Sequence, residues 1–272
     1  MKHLEVVNVT KHYIQGRERI HALDNINFSV HDKEFVCIIG PSGCGKSTLL
    51  KIIAGLDFPT SGEIRFKGET ITEPHPKISM IFQSFALFPW RTVLENVEFG
   101  LEVQGVPKDE RRKIALEFLE TVGLKGYEGC YPKELSGGMK QRVGIARALA
   151  VDPEVVLMDE AFSAIDEFTA GILRSEVAEL WEENEKTFIL VTHNLSEAIE
   201  LADRIVVLTA RPAKVKDLIT VDLKRPRDRS DPEFVKYQRE LFEKLKEELE
   251  NTIIRHKLRK VHEQHKIEDI EA

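Results

Sequence analysis

Apolar positions recur along this chain with two periods that change places repeatedly. From Leu4 to Val9 and again from Asn25 to Val30 they alternate with polar residues around the turn-prone Gln15-Gly16-Arg17, which predicts an antiparallel strand pair. The continuous run Phe35-Val36-Cys37-Ile38-Ile39 reads as a strand, and a glycine-rich stretch leads from it into the helical pattern Leu49-Leu50-Lys51-Ile52-Ile53-Ala54. Glu63-Ile64-Arg65-Phe66 and the residues from Ile78 to Phe82 give two more strands. Helical spacing takes over from Pro107 to Val122, where Ile114, Leu116, Phe118, Leu119 and Val122 sit among Lys, Arg and Glu, and again from Ser136 to Ala150. Three short apolar runs follow, Val155-Val156-Leu157-Met158, Phe188-Ile189-Leu190-Val191 and Ile205-Val206-Val207-Leu208, separated by helical patterns over 167–184 and 195–202. Strands alternating with helices cover both faces of a parallel sheet, so the fold class is α/β and functional side chains are expected at the carboxyl edge of that sheet.

Past the turn-rich stretch from Arg225 to Pro232, a charged helix carries Phe234, Tyr237, Leu241, Leu245 and Leu249 on one stripe. Lys236 with Glu240 and Glu240 with Lys244 are spaced to support its solvent face. The stripe reads as a helix docking on its own domain rather than as a regulatory arm. His256, His262 and His265 lie among Lys257, Arg259, Lys260 and Lys266, a setting that opposes a cation and reads as a solvated tail.

With 272 residues, 42% of them hydrophobic, the chain can bury a substantial core. No apolar stretch approaches the roughly twenty residues that span a bilayer, and the start lacks a signal-peptide core, so a cytoplasmic location is expected. The net charge of −7, from 39 basic and 46 acidic residues, disfavours a nucleic-acid partner. Three cysteines, Cys37, Cys44 and Cys130, without metal-type spacing suit a reducing compartment.

The chemistry is carried by two anion cradles. Gly40-Pro41-Ser42-Gly43-Cys44-Gly45-Lys46-Ser47-Thr48 stands between strand and helix, the setting a P-loop requires. Its glycines let backbone N–H groups face phosphates, Lys46 reaches the outer phosphates, and Ser47 can place its hydroxyl on Mg2+. The second cradle, Leu135-Ser136-Gly137-Gly138-Met139-Lys140-Gln141-Arg142, puts Ser136, Gly137 and Gly138 at a helix start, where unpaired N–H groups and a partial positive charge meet anions.

The two cradles in this order resemble the ATP-binding cassette family, the motor subunits of ABC transporters, over roughly residues 4 to 235. The resemblance implies a P-loop NTPase fold with a mostly parallel central sheet, an antiparallel β subdomain at the N-terminal side and an α-helical signature-motif subdomain over about 84–150. The ATP-binding domain would then span 1–232 and a C-terminal helical extension 233–272. It also implies a head-to-tail homodimer in which the P-loop of one subunit and the Ser136 segment of the other, with Gln141 behind it, enclose each ATP. One chain alone would be an incomplete ATPase.

Further roles follow from the family pattern. Asp159 and Glu160 end a buried strand and match its Walker B carboxylates, Asp159 for Mg2+ and Glu160 as general base for the attacking water. His193 resembles the switch histidine that contacts the terminal phosphate. Gln83 resembles the Q-loop glutamine that binds Mg2+ and senses the permease. Ser163-Ala164-Ile165-Asp166 resembles the D-loop that crosses the dimer interface, with two departures: Ala161 stands where Pro is usual and Ile165 where Leu is. Tyr13, with His12 as fallback, lies where the family keeps an aromatic that stacks on adenine. Cys44, beside Lys46 and a helix start, is expected to favour its thiolate, so that its modification would block ATP.

The stretch from Phe88 to Val97 occupies the region that receives the permease in the family, and Trp90 is the residue expected to face that partner. With Thr209-Ala210-Arg211-Pro212 and the residues from Arg225 to Phe234, it is similar to the ATPases of nitrate, taurine and alkanesulfonate importers. That implies two copies of this subunit, membrane permease subunits and a solute-binding protein, with the chain peripheral on the cytoplasmic face of the membrane. The alternatives are the cassette of an exporter, or a soluble ABC ATPase acting on DNA or ribosomes. The chain has neither the coiled-coil insertion nor the tandem cassettes usual in the soluble kind.

Overall fold

In a computed structural model of the chain, which describes residues 2–16, 18–248 and 250, two sheets and their helices share one continuous architecture. The first sheet has the order β2-β1-β4-β5 and is antiparallel, built from β1 (Lys2–Gln15), β2 (Glu18–His31), β4 (Ser61–Phe66) and β5 (Glu69–Thr70). β1 and β2 run well beyond the alternating segments because register shifts between Val6 and Val9 and between Lys11 and His12 break the alternation without ending the pairing. Asn8 and Asn25 take left-handed backbone angles (φ 50° and 53°) there, a conformation Asn tolerates better than most residues.

The second sheet has the order β10-β9-β3-β8-β7-β6. β3 (Phe35–Ile39), β6 (Ile78–Ile81), β7 (Val155–Asp159), β8 (Thr187–Val191) and β9 (Arg204–Leu208) are mutually parallel, and β10 (Val215–Thr220) closes the edge antiparallel to β9. β10 has no counterpart in the apolar pattern, because an edge strand with Lys216 and Asp217 buries few of its side chains.

The parallel strands divide the core in two. Phe35, Cys37, Ile39, Val156, Met158, Phe188, Leu190, Ile205 and Val207 point to the face covered by α2 (Val93–Val103), α3 (Lys108–Thr121), α4 (Gly137–Ala150), α5 (Glu167–Asn184) and α6 (Leu195–Leu201). Val36, Ile38, Val155, Leu157, Ile189, Val191, Val206 and Leu208 point to α1 (Lys46–Ile53) and the antiparallel sheet. Each such side chain, removed from water, contributes about 1.5–3 kcal/mol, which is why these strands read as unbroken apolar runs.

α2 was not foreseen as a helix, although Thr92-Val93-Leu94-Glu95 carries its start signal. The Thr92 hydroxyl accepts from Glu95 N (3.3 Å) and the Glu95 carboxylate accepts from Thr92 N (2.8 Å), a reciprocal capping box.

Helix α7 covers 232–248. Phe234 and Leu241 are fully buried in the same core as α5 and α6, and Tyr237 and Leu245 pack against it, so the stripe docks on its own chain. Lys244 pairs with Glu240 as expected (3.7 Å), whereas Lys236 reaches back to Glu233 (3.2 Å). Leu249, His256, His262 and His265 lie outside the described residues. Among those described, no helix is long and apolar enough to cross a membrane.

Candidate functional site

The parallel strands end at one edge, and the loops that follow them gather there. Residues 40–45 link β3 to α1. Gly45 has φ 128°, and a Cβ on it would lie 2.8 Å from Leu23 Cδ2 and 3.2 Å from the Ala22 carbonyl, so β2 packs the loop too closely for any side chain. Lys46 is buried, and its Nζ donates to the carbonyls of Gly40 (2.9 Å) and Pro41 (3.1 Å). The ammonium thus sits folded into the curve of the loop, held by backbone acceptors it can exchange for phosphate oxygens.

Beside it, Ser47 Oγ donates to Asp159 Oδ1 at 2.8 Å across 112 residues. Asp159 is mostly buried, and burial holds its carboxyl above the usual range, partly opposed by the Ser47 bond and reinforced by the neighbouring Glu160 charge. A cation placed there would reverse that balance. Among the described residues no three His, Cys, Asp or Glu form a cage. A hydroxyl and a carboxylate side by side fit a hard ion that takes its remaining oxygens from water and phosphate, as Mg2+ does.

Glu160 follows β7 with a left-handed backbone (φ 46°) while its N–H still bonds to Val191 O at 2.9 Å. Such a conformation costs roughly 1–3 kcal/mol in a non-glycine residue and clusters at functional sites. Gln83 Nε2 donates to Glu160 Oε2 (3.1 Å), and His193 Nδ1 lies 3.3 Å from the same oxygen. Oε1 is left outside this pair of contacts, where an oriented water can lose a proton. Gln83 also reaches Ser163 Oγ (3.3 Å), whose hydroxyl donates to Glu160 O (2.8 Å).

His193 is set by the residue before it. Thr192 N donates to Ile38 O (3.2 Å), tying the end of β8 to the phosphate-loop strand, and Thr192 Oγ1 donates to the buried Glu197 Oε2 at 2.6 Å. Arg174 on α5 is 3% exposed and lies between Glu197 on α6 (3.5 Å), Glu200 (2.7 Å) and Glu167 (2.8 Å). Arg147 on α4 donates to the carbonyls of Phe85 (2.9 Å) and Ala86 (2.7 Å), two successive left-handed residues just past Gln83. None of Arg147, Arg174 and Glu197 stands out in the sequence, because Arg147 acts through carbonyls 61 and 62 residues away and Arg174 meets Glu197 only where α5 packs on α6.

Ser136, Gly137 and Gly138 lie elsewhere. Ser136 caps α4 by accepting from Met139 N (3.3 Å), and Gly137 and Gly138 approach Ala164, Ile165 and Thr169 so closely that Cβ atoms would come within 3.4 and 2.8 Å. Ser136 itself is exposed. The second cradle therefore opens to the surface at Ser136, with Gly138 buried behind it, beside the chain's own 163–166 loop, where Asp166 caps α5 by accepting from Thr169 N at 3.0 Å.

Three expectations need revision or detail. Gln141 is fully buried on α4, and neither end of its amide has a hydrogen-bond partner, so its side chain is not on the surface that would meet ATP. Cys44 is 1% exposed, and burial pushes its thiol up despite Lys46; desolvation of the charged form outweighs the nearby cation and works against the expected reactive thiolate. Tyr13 is 37% exposed on β1, with its hydroxyl donating to Asp57 Oδ2 (2.7 Å) and Lys11 Nζ 4.9 Å from its ring centre, whereas the fallback His12 packs against His21 (4.1 Å). In the 88–97 stretch, Val93 is core, Phe88 is half-buried against Phe99 (4.5 Å), and Trp90 is 71% exposed.

The sequence profile of the ABC transporter family matches residues 23–163. The chain is 51% identical over 246 residues to an ABC transporter ATP-binding protein of Methanocaldococcus jannaschii, covering 90% of this chain and 92% of that one. It is 43% identical to the nitrate import ATP-binding protein NrtD of Synechocystis sp. (90% and 95% covered) and 44% identical to an aliphatic sulfonates import ATP-binding protein, SsuB, of Bacillus cereus (89% and 95% covered). Among solved structures, a dimeric ATP-binding cassette in a post-hydrolysis state with ADP and Pi superposes with a TM-score of 0.73 at 38% identity, covering 81% of this chain and all of that one.

Proposed function

We propose, from the premise that this chain belongs to the ABC transporter family, that it is the ATP-hydrolysing motor subunit of a solute importer of the nitrate, sulfonate or taurine type. ATP binding and an ATPase activity coupled to transport come with the family. The observation that carries the mechanism is the convergence of Gln83 and His193 on one oxygen of Glu160, next to the Ser47 and Asp159 pair.

In this reading Lys46 Nζ and the N–H groups of residues 40–48 hold the triphosphate, and Tyr13 carries the adenine. Mg2+, when bound at Ser47 and Asp159 with Gln83 nearby, supplies charge neutralisation for the phosphate oxygens. Glu160 Oε1 takes the proton of the attacking water, and His193 and Gln83, sharing Oε2, fix the direction of that carboxylate. His193 is exposed and can turn from Glu160 to the terminal phosphate.

The site is completed by a second copy. Ser136 is exposed at the start of α4 and Gly137 partly so, so a partner turned head to tail can bring its own Ser136-Gly137-Gly138 cradle to the ATP held on residues 40–48. Residues 1–232 form the cassette, with the helical part over about 84–150, and 233–272 the extension. Closure of the dimer shifts the Gln83 region, and through it Trp90 on the permease side; a solute-binding protein delivers the solute. The subunit thereby sits on the cytoplasmic face of the membrane through the permease. Support for import comes from the similarity to NrtD and SsuB; an exporter cassette or a soluble ABC ATPase is the alternative reading.

The deciding experiment mixes Lys46→Ala chains with Ser136→Phe chains, each inactive alone. Random pairing puts one complete site in half of the dimers, so up to about a quarter of wild-type turnover should return. Persistent inactivity of the mixture, together with full turnover by a dilute monomeric wild-type preparation, would refute the shared site.

A further inference from the structure

Three carbonyl oxygens of the phosphate loop are bound by cationic side chains. Lys46, close in sequence, takes those of Gly40 and Pro41. The carbonyl of Gly43, at the tip, accepts from Arg211 Nη2 at 2.7 Å, across 168 residues. Gly43 is left-handed (φ 72°), and nothing lies within 4 Å of where its Cβ would be. No side chain fills that space, so the orientation of the Gly43 peptide depends on hydrogen bonds.

Two such bonds fix one peptide unit. The Gly43 carbonyl goes to Arg211, and the N–H of the same unit, that of Cys44, donates to Pro41 O at 3.2 Å. The C=O and N–H of a planar trans peptide point in opposite directions. Holding both removes the rotation that a glycine hinge would otherwise allow.

Arg211 is delivered by an anchored bend between β9 and β10. Ala213 exchanges bonds with β2, its N–H to Ala22 O (3.0 Å) and its carbonyl from Asp24 N (2.9 Å), and Thr209 N donates to Lys214 O (2.9 Å). Next to Arg211, Ala210 N donates to Glu248 Oε2 at 3.0 Å, from α7, while Lys216 Nζ holds the other oxygen of Glu248 at 2.9 Å.

We propose that Arg211 is a positioning residue of the ATP site, which presets the tip of the phosphate loop for the triphosphate, and that α7 steadies it through Glu248. The inference rests on the ATPase reading above and adds to it a residue outside the P-loop motif. When Lys46 moves to the phosphates it releases Gly40 and Pro41, and Arg211 then keeps the Gly43 carbonyl turned to a cation and away from the anion. The C-terminal helix is thereby joined to nucleotide affinity through the Glu248 carboxylate.

The test uses the full chain and trinitrophenyl-ATP titration beside steady-state ATPase assays. Loss of one charge-assisted hydrogen bond in Arg211→Ala should raise Kd and KM for nucleotide about 3- to 10-fold and leave kcat within about 2-fold. Arg211→Lys should recover part of the loss, Glu248→Ala should shift affinity in the same direction by less, and the nucleotide-free Tm of each should stay near wild type. A Kd for Arg211→Ala unchanged beside a clearly impaired Lys46→Ala control overturns this inference alone. So does a loss that Arg211→Lys does not relieve and that tracks a fallen Tm, since that is general destabilisation. A wild-type chain that binds no nucleotide overturns the ATPase reading and this inference with it.

Discussion

Replacing Arg174 with Met should expose how His193 is held in place. Arg174 is buried and touches three carboxylates on two helices, Glu167, Glu197 and Glu200. Glu200 and Glu167 retain Arg229, at 2.8 and 3.0 Å. Glu197 is itself buried, with its carboxyl raised by burial and lowered back by the Thr192 bond, Arg174 and, more weakly, His193. Breaking a buried pair by removing one partner typically costs about 3–5 kcal/mol, because a charge is left uncompensated.

The sign with pH follows from the raised carboxyl. A carboxyl raised by folding destabilises the fold once it ionises, so the cost is absent below its unfolded pKa and complete above its folded one. The Arg174→Met deficit should therefore be smaller at about pH 5 than at about pH 8, because Glu197 must ionise or stay protonated at a growing cost as pH rises. Urea unfolding at both values measures it. The double variant Arg174→Met with Glu197→Gln should regain most of the loss and flatten the pH dependence, and ATPase kcat should follow the same order because Glu197 holds Thr192 next to His193. A deficit below about 1 kcal/mol at both pH values, against the 3–5 expected, or a double variant worse than the single, would refute the argument.

Two further outcomes test the site directly. Glu160→Gln should still bind ATP, accumulate as a dimer and lose roughly a hundred- to ten-thousand-fold in turnover, the usual contribution of a general base; single-turnover hydrolysis near the wild-type rate would remove Glu160 from that role. Cys44, buried and with its thiol raised, should react slowly with a maleimide near neutral pH, with or without MgATP; rapid labelling of Cys44 by mass spectrometry, blocked by nucleotide, would restore the thiolate reading.

Much of the fold was legible because burial on both faces leaves a direct trace in composition. The runs ending at Ile39, Met158, Val191 and Leu208 are strands β3, β7, β8 and β9 to within a residue at most, since each of their side chains meets apolar neighbours. β10 and the far halves of β1 and β2 were not legible, because edge pairing and bulges depend on backbone bonds to other strands and leave little apolar pattern. α2 is an intermediate case, its Thr92 and Glu95 box being written in the chain but hidden among aromatic residues.

The candidate site divides along the same line. Residue types and short spacings determined the phosphate loop, the paired carboxylates after β7 and the helix start at Ser136, because a backbone cradle needs glycines closely spaced in one short loop and a strand end delivers its next residue to the sheet edge. Only the tertiary structure decided that Gln83 and His193 meet on one oxygen of Glu160, that Cys44 and Gln141 are buried, that Arg174 joins α5 to α6, and that Arg147 and Arg211 brace loops far from them in sequence. The reason is physical: a side chain's burial and partners are set by whatever the folded chain brings alongside it, and for an arginine reaching a carbonyl 168 residues away no local pattern carries that information.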